Sequence, residues 1–260
     1  MRYVVCIKQV PSTNEVRLDP VTNTILRDGR QSVVNPFDAH AVEEGVRLKE
    51  RFGGEVLAIS MGIPAVEELL RDAVARGADR AVLLSDRAFA GADTLATSYT
   101  LAAGIRRAGT FDLILCGKMA VDGDTAQIGP ELAEQLGIPH LTEVCEICEI
   151  KNGKATVRRQ TQRGDQMVEV KLPAVLTLVR EINTPRMPDL SGVRRSLEAP
   201  FACWGAADLG VDEGRCGLKG SPTQVVRTFV PKRERETVPI TGTPAGQAER
   251  MLAIAKEVLA

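Results

Sequence analysis

Short runs that are apolar on both faces alternate with longer amphipathic stretches through the first two thirds of the chain. YVVCIK (3–8), EVLAISMG (55–62), RAVLLS (80–85) and FDLILCG (111–117) have the length and composition of strands buried on both sides, as in a parallel sheet. Between them lie segments of helical period. One follows Asn35, with Asn35 as the predicted N-cap, Pro36 at the first helical position, Asp38 in the first turn, and Ala41, Val42, Val46 and Leu48 on the apolar side. A second runs from Pro64 to Gly77. A third starts near Asp93 and ends at Gly109, with Leu95, Tyr99, Ala102 and Ile105 at helical spacing. Strand and helix in strict alternation predict a doubly wound α/β fold, a parallel-sheet sandwich of three layers.

The pattern changes after Gly137. Asn152-Gly153 separates two alternating runs in VCEICEIKNGKATVRRQTQ, which predicts a β-hairpin insertion, and PAVLTLVR (173–180) reads as a last buried strand. The core is therefore expected to close near Arg180. From Asn183 to about Thr243, six prolines, with Pro244 just after them, and no sustained period predict an extended segment, and GQAERMLAIAKEVLA closes the chain as one amphipathic helix. A structureless stretch of roughly 60 residues is unusual in a compact domain, so it is expected to be ordered against a partner subunit. The division expected is 1–182 for an α/β domain and 183–260 for an extended arm.

Composition narrows the classes of function. The 260 residues carry 33 basic and 34 acidic side chains, a balance that gives no strong field for nucleic acid or an anionic membrane. The apolar start is too short for a signal peptide and no run approaches about 18 apolar residues, so a cytoplasmic protein without membrane insertion is expected. Of six cysteines, Cys6, Cys116, Cys145 and Cys148 lie in apolar strand-like runs, as reduced thiols do. Cys145 and Cys148 form a CxxC, but on a strand residues three apart face opposite sides, so no metal site is predicted.

In an open parallel sheet, ligands bind beyond the carboxyl ends of the strands. Those ends collect Cys6, Ile7 and Lys8; Ser60, Met61 and Gly62; Ala92, Asp93, Thr94 and Thr97; and the loop CGKMAVDGDTAQIG, that is Cys116, Gly117, Lys118, Met119, Ala120, Val121, Asp122, Gly123, Asp124, Thr125, Ala126, Gln127, Ile128 and Gly129. A strand that ends in small and acidic residues and opens into a helix is a phosphate-binding arrangement, through unpaired N–H groups at a positive helix end. The same residues also suit ordinary helix capping. Thr94 and Thr97 share a helix face where both hydroxyls can meet a phosphate, and Lys8 and Lys118 either offset its charge or are solvated. No G-x-G-x-x-G follows the first strand and no Walker lysine motif is present.

CIKQVPST, VVNPFDAHAVEEGVRLKE, AISMG, GADRAVLLSDRAFAGADTLATSY, CGKMAVDGDTAQIGPELAEQLGIP and LPAVLTLVREINTPRMPDL, in that order over essentially the whole chain, resemble the β subunit of electron transfer flavoprotein. The resemblance implies an α/β sandwich of the adenine-nucleotide-binding type, paired with a flavin-carrying α subunit around which the tail wraps. It places nucleotide contacts at Cys6, at Asn35, Pro36, Phe37 and Asp38, at Met61 and along Lys118–Gly129. A docking loop, NTPRMPDLSGV here, carries an anchoring leucine at Leu190 that inserts into an acyl-CoA dehydrogenase. SDRAFAGADTLATSY and DGDTAQIGP resemble the electron-bifurcating version, in which the crevice holds a second FAD; the ordinary version holds AMP. The implied function is acceptance of a hydride from NADH, with one electron going to ferredoxin or flavodoxin and the other, through the α-subunit FAD, to an acyl-CoA dehydrogenase or quinone reductase. In that scheme the flavin does the chemistry and no side chain is a catalytic acid, base or nucleophile. Only Arg194-Arg195 follows the docking loop, where some ordinary members carry a lysine cluster. The rival from another class, a universal-stress-like nucleotide sensor, would end near Arg180.

Overall fold

The computed structural model describes residues 1–12, 32–226, 237 and 239–259. In chain order the elements of the main body are β1 (Arg2–Cys6), β2 (Gln9–Pro11), β3 (Ser32–Val34), α1 (Pro36–Phe52), β4 (Glu55–Met61), α2 (Glu67–Ala75), β5 (Arg80–Leu84), α3 (Thr94–Ala108), β6 (Leu113–Gly117), α4 (Ile128–Leu136), β7 (His140–Lys151), β8 (Lys154–Arg159), β9 (Gln166–Lys171), β10 (Ala174–Leu178), α5 (Leu190–Glu198), β11 (Phe201–Trp204) and α6 (Ala206–Leu209). Among the described residues, nine strands form one sheet in the order β11-β5-β4-β1-β6-β10-β7-β8-β9, parallel from β11 to β7, with β8 and β9 continuing antiparallel; β2 and β3 make a separate antiparallel pair.

The buried parallel strands put successive side chains on opposite faces, and both faces are apolar. Tyr3 and Val5 pack with Leu48 of α1 and Leu70 of α2, whereas Val4 and Cys6 pack with Ile105 of α3 and Leu132 of α4. The sheet is thus the middle of three layers, in a mixed α/β body of the expected class. β4 and β5 are added on one side of β1 and β6 on the other, so the winding reverses between β1 and β6. Asn152 and Gly153 both take positive φ (51° and 71°), the geometry that a two-residue turn requires to match strand twist.

The expectation of an extended segment from Asn183 to about Thr243 is corrected. α5 sits on α2 so closely that a Cβ on Gly192 would lie 2.1 Å from the Ala75 carbonyl oxygen, and β11 extends the sheet along β5, with Phe201 opposite Ala81 and Trp204 opposite Leu84. These elements are short and broken by proline, and their burial comes from residues more than 100 positions away, which no local period records. Contacts divide the chain into a unit Met1–Val225 and a second unit Val226–Ala260. The second unit contains α7 (Pro244–Leu259), on which Met251, Leu252, Ile254 and Val258 are exposed. No helix among the described residues is long and apolar enough to cross a membrane.

Candidate functional site

The switch point between β1 and β6 gathers four of the predicted groups of residues. Asp38, in the first turn of α1, is buried, and its two carboxylate oxygens accept from the Lys8 N–H (2.8 Å) and the Gly117 N–H (3.0 Å). One side chain thus ties the carboxyl ends of the two strands that flank the reversal. Burial pushes the Asp38 carboxyl up to about 7, against the opposing pull of Asn35, the two backbone N–H groups and the Lys8 charge. Gly117 is glycine because a Cβ there would stand 2.4 Å from Asp38 Oδ1 and 2.6 Å from Phe37 Cβ. The Arg180 guanidinium lies over the Phe37 ring, 4.5 Å from its centroid.

Asn35 does not cap α1 with its side chain, contrary to the expectation from the sequence. Its Nδ2 donates to the Met119 carbonyl (2.9 Å) and its Oδ1 accepts from the Val121 N–H (3.2 Å), so it holds the β6–α4 loop, 84 and 86 residues along the chain. Pro36, rather than a capping bond, starts the helix. Cys6 and Cys116 end adjacent strands with their side chains buried; a hydrogen bond donated by Cys116 to Cys6, together with burial, raises the Cys116 thiol well above its ordinary value, and neither forms a disulfide. The β4 end joins the same edge: the Ile7 N–H donates to the Ile59 carbonyl (2.9 Å) and the Gly62 N–H to the Leu84 carbonyl (3.0 Å), with the Ser60 hydroxyl buried and without a partner among the described residues.

Opposite stands the amino end of α3. Asp93 caps it through the Ala96 N–H (3.0 Å), and its other oxygen accepts from the Thr223 N–H and hydroxyl. Asp93 is therefore a structural tie between the start of α3 and the segment after β11, and its carboxylate is committed there. The Thr94 hydroxyl donates to Glu131 Oε1 (3.0 Å) in the first turn of α4, and burial raises the Glu131 carboxyl. Thr97 lies half-buried one turn further on. Ala92 precedes the cap in the same wall. Gly129 is glycine for packing, since a Cβ there would meet Thr177 Cγ2 at 2.2 Å.

The second half of the β6–α4 loop, Val121–Gln127, is exposed. Asp124 and Ala126 both occupy the left-handed region, at φ 52° and 53°, a conformation that L side chains adopt at a cost and that concentrates at ligand sites. Among the described residues, the backbone N–H groups of Thr125, Ala126 and Gln127 find no acceptor. Gly123 faces open space. Alternating right- and left-handed backbone turns such N–H groups into a concave anion nest, here just before the positive end of α4. Both lysines of the crevice are paired: Lys8 Nζ with Asp122 (2.7 and 2.9 Å) and Lys118 Nζ with Glu143 of β7 (2.5 Å). Glu131, Glu143, Arg180 and Thr223 all support the site and were not legible in the sequence, because each acts across elements.

Leu190 lies apart from this crevice. It is 91% exposed at the start of α5, with Val193 and Leu197 exposed on the same helix and Met187 exposed just before it. The preceding loop is fastened to α1: the Arg186 guanidinium makes forked bonds to Glu43 and Glu50, Asn183 donates to Glu44 Oε2 (3.0 Å), and His40 Nδ1 pairs with Asn183. His40, unassigned from the sequence, is thus part of this fastening.

A parallel sheet wound in both directions from one strand, with a strained, donor-rich loop at its reversal, defines a doubly wound α/β protein, a class in which ligands sit at the switch point. The model of the electron transfer flavoprotein domain matches residues 22–203. The chain is 48% identical over 95% of its length to the caffeyl-CoA reductase-Etf complex subunit CarD of Acetobacterium woodii, covering 94% of that protein. It is 48% identical over 93% of its length to the electron transfer flavoprotein subunit beta of Thermoanaerobacterium thermosaccharolyticum, covering 93% of it, and 42% identical over 97% to protein FixA of Bradyrhizobium diazoefficiens, covering 90%. The chain belongs to the electron transfer flavoprotein family and is like its β subunits.

Proposed function

We propose that the chain pairs with an electron transfer flavoprotein α subunit and holds a second FAD in the switch-point crevice. The observation that carries this reading is the Val121–Gln127 loop: two left-handed residues, N–H groups without acceptors among the described residues, and small side chains beside the start of a helix. These groups fit a diphosphate, which needs several donors and close backbone approach. In this reading Thr125, Ala126 and Gln127 would hold phosphate oxygens through their N–H groups, Cys6–Lys8 and Ser60–Gly62 would line the adjoining wall, and Asn35 and Asp38 would fix the shape of the pocket from behind. A flavin bound there supplies hydride acceptance and one-electron delivery, which accounts for oxidation of NADH with bifurcation to ferredoxin or flavodoxin and, through the α-subunit FAD, to an acyl-CoA dehydrogenase or quinone reductase. Support for the complex comes from the name of the 48% identical CarD, which describes a subunit of a reductase-Etf complex. The segment from residue 183 would present Leu190 to the electron acceptor, and the arm ending in α7 would wrap the α subunit with its exposed apolar residues.

The test is to co-express the chain with its α partner, release the cofactors with acid and count them. Two FAD and no AMP per heterodimer are expected. One FAD with one AMP would make the crevice ligand structural and confine electron transfer to the partner's flavin.

A further inference from the structure

The β6–α4 loop is held unevenly. Its first part is fixed to α1, by Asp38 at Gly117 and by Asn35 at Met119 and Val121. Beyond Val121, the bonds that its side chains make to other elements are, among the described residues, a 3.4 Å contact from the Thr94 hydroxyl to Gln127 and the ion pair in which Lys8 Nζ meets both oxygens of Asp122, at 2.7 and 2.9 Å. Lys8 stands at the end of β1 on the switch point, its side chain 48% exposed, while that of Asp122 is only 19% exposed. The Lys8 backbone is anchored on Asp38, so its ammonium can be re-aimed on its flexible stem without moving the strand.

We infer that Asp122 is a resident counter-anion that sets the charge a ligand needs in order to enter the crevice, an inference that rests on reading the crevice as a nucleotide site. The other crevice lysine is occupied by Glu143, the exposed loop carries a further carboxylate at Asp124, and the Arg180 guanidinium is stacked on the Phe37 ring, so both lysines of the wall are paired before an anion arrives. A phosphate group gains Lys8 by exchange: it takes the ammonium from Asp122, and Asp122 turns to water on a part of the loop that little else restrains. A ligand without phosphate has nothing to offer Lys8, leaves the pair closed and meets the loop in its present position. The specificity is one of charge and is independent of base or flavin contacts.

The experiment uses the full chain in complex with its α partner, freed of bound nucleotide, with AMP and adenosine as probes in calorimetric titration. Asp122→Asn is expected to tighten AMP by up to about fivefold, the size of an exposed ion pair no longer competing, and to leave adenosine unchanged. Lys8→Met is expected to weaken AMP and likewise leave adenosine unchanged. Weaker AMP binding by Asp122→Asn, or an equal change for both probes, would overturn the inference, because Asp122 would then be a direct contact for sugar hydroxyls. Wild-type complex that binds neither AMP nor FAD would overturn the nucleotide reading itself. Equal melting temperatures for wild type and Asp122→Asn are required, and the exposed position of the loop makes them the expected result.

Discussion

Replacing Asp38 by alanine is expected to destabilise the main body by about 2 kcal/mol, through two partly buried N–H groups left without an acceptor, each toward the low end of roughly 1–3 kcal/mol. The carboxylate is the one group that bonds both Lys8 and Gly117, so the variant is also expected to lose nucleotide, because the two strand ends that flank the crevice are no longer tied. The pH dependence gives a sharper test. Burial raises the Asp38 carboxyl from 3.8 to about 7 in the folded chain. The folded state therefore binds the proton more tightly than the unfolded state, and the contribution is fully present below about pH 4, is lost as pH rises through about 7, and is flat above that. The interval from 3.8 to about 7 is worth about 4 kcal/mol at most. Asp38→Asn removes the titration and keeps the shape, so wild type should lose stability relative to this variant steadily from about pH 4.5 to about pH 7 and no further above it. Urea midpoints at both pH values check it. Parallel pH profiles for the two proteins would show that the two backbone donors outweigh burial and keep the carboxylate ionised throughout.

The reach of the sequence follows from where each element gets its stability. β1, β4, β5, β6 and β10 were legible because a strand buried on both faces must be apolar throughout, and α1 and α3 because Pro36, Asp93 and Gly109 mark their ends locally. The crevice followed from topology, since parallel strands that alternate with helices place their carboxyl ends together. What escaped was everything decided across elements. Asn35 carries the local signature of a cap, yet its amide bonds the β6–α4 loop because two groups there, the Met119 carbonyl and the Val121 N–H, match both ends of one amide. Lys8 and Lys118 read as open cations until the fold brings Asp122 and Glu143 to them. α5 and β11 are too short to show a period, and they exist because α2 and the β5 edge offer them apolar surface.

Under the proposed function, truncating Leu190 to alanine is expected to slow electron delivery to an acyl-CoA-handling partner enzyme by about thirtyfold in kcat/KM, the effect of losing about 2 kcal/mol at a central apolar anchor. Stability should not change, because Leu190 is 91% exposed among the described residues. The expected size depends on how firmly the anchor is presented. Asp189 caps α5 through the Gly192 N–H at 2.5 Å, Gly192 lets the helix sit directly on the Ala75 carbonyl, and Arg186 clamps the preceding turn to Glu43 and Glu50. A side chain held on such a base loses little freedom on docking, so most of its burial energy reaches the complex. Val193 and Leu197 lie three and seven positions on, along one side of the helix, and extend the apolar contact beyond a single residue. The measurement is the rate at which reduced heterodimer passes electrons to its partner at varied partner concentration, with a small-molecule dye as control acceptor. Loss confined to the protein partner supports docking through Leu190. An equal loss with the dye would place the defect in the flavins, and unchanged rates with the partner would move the docking surface elsewhere on the chain.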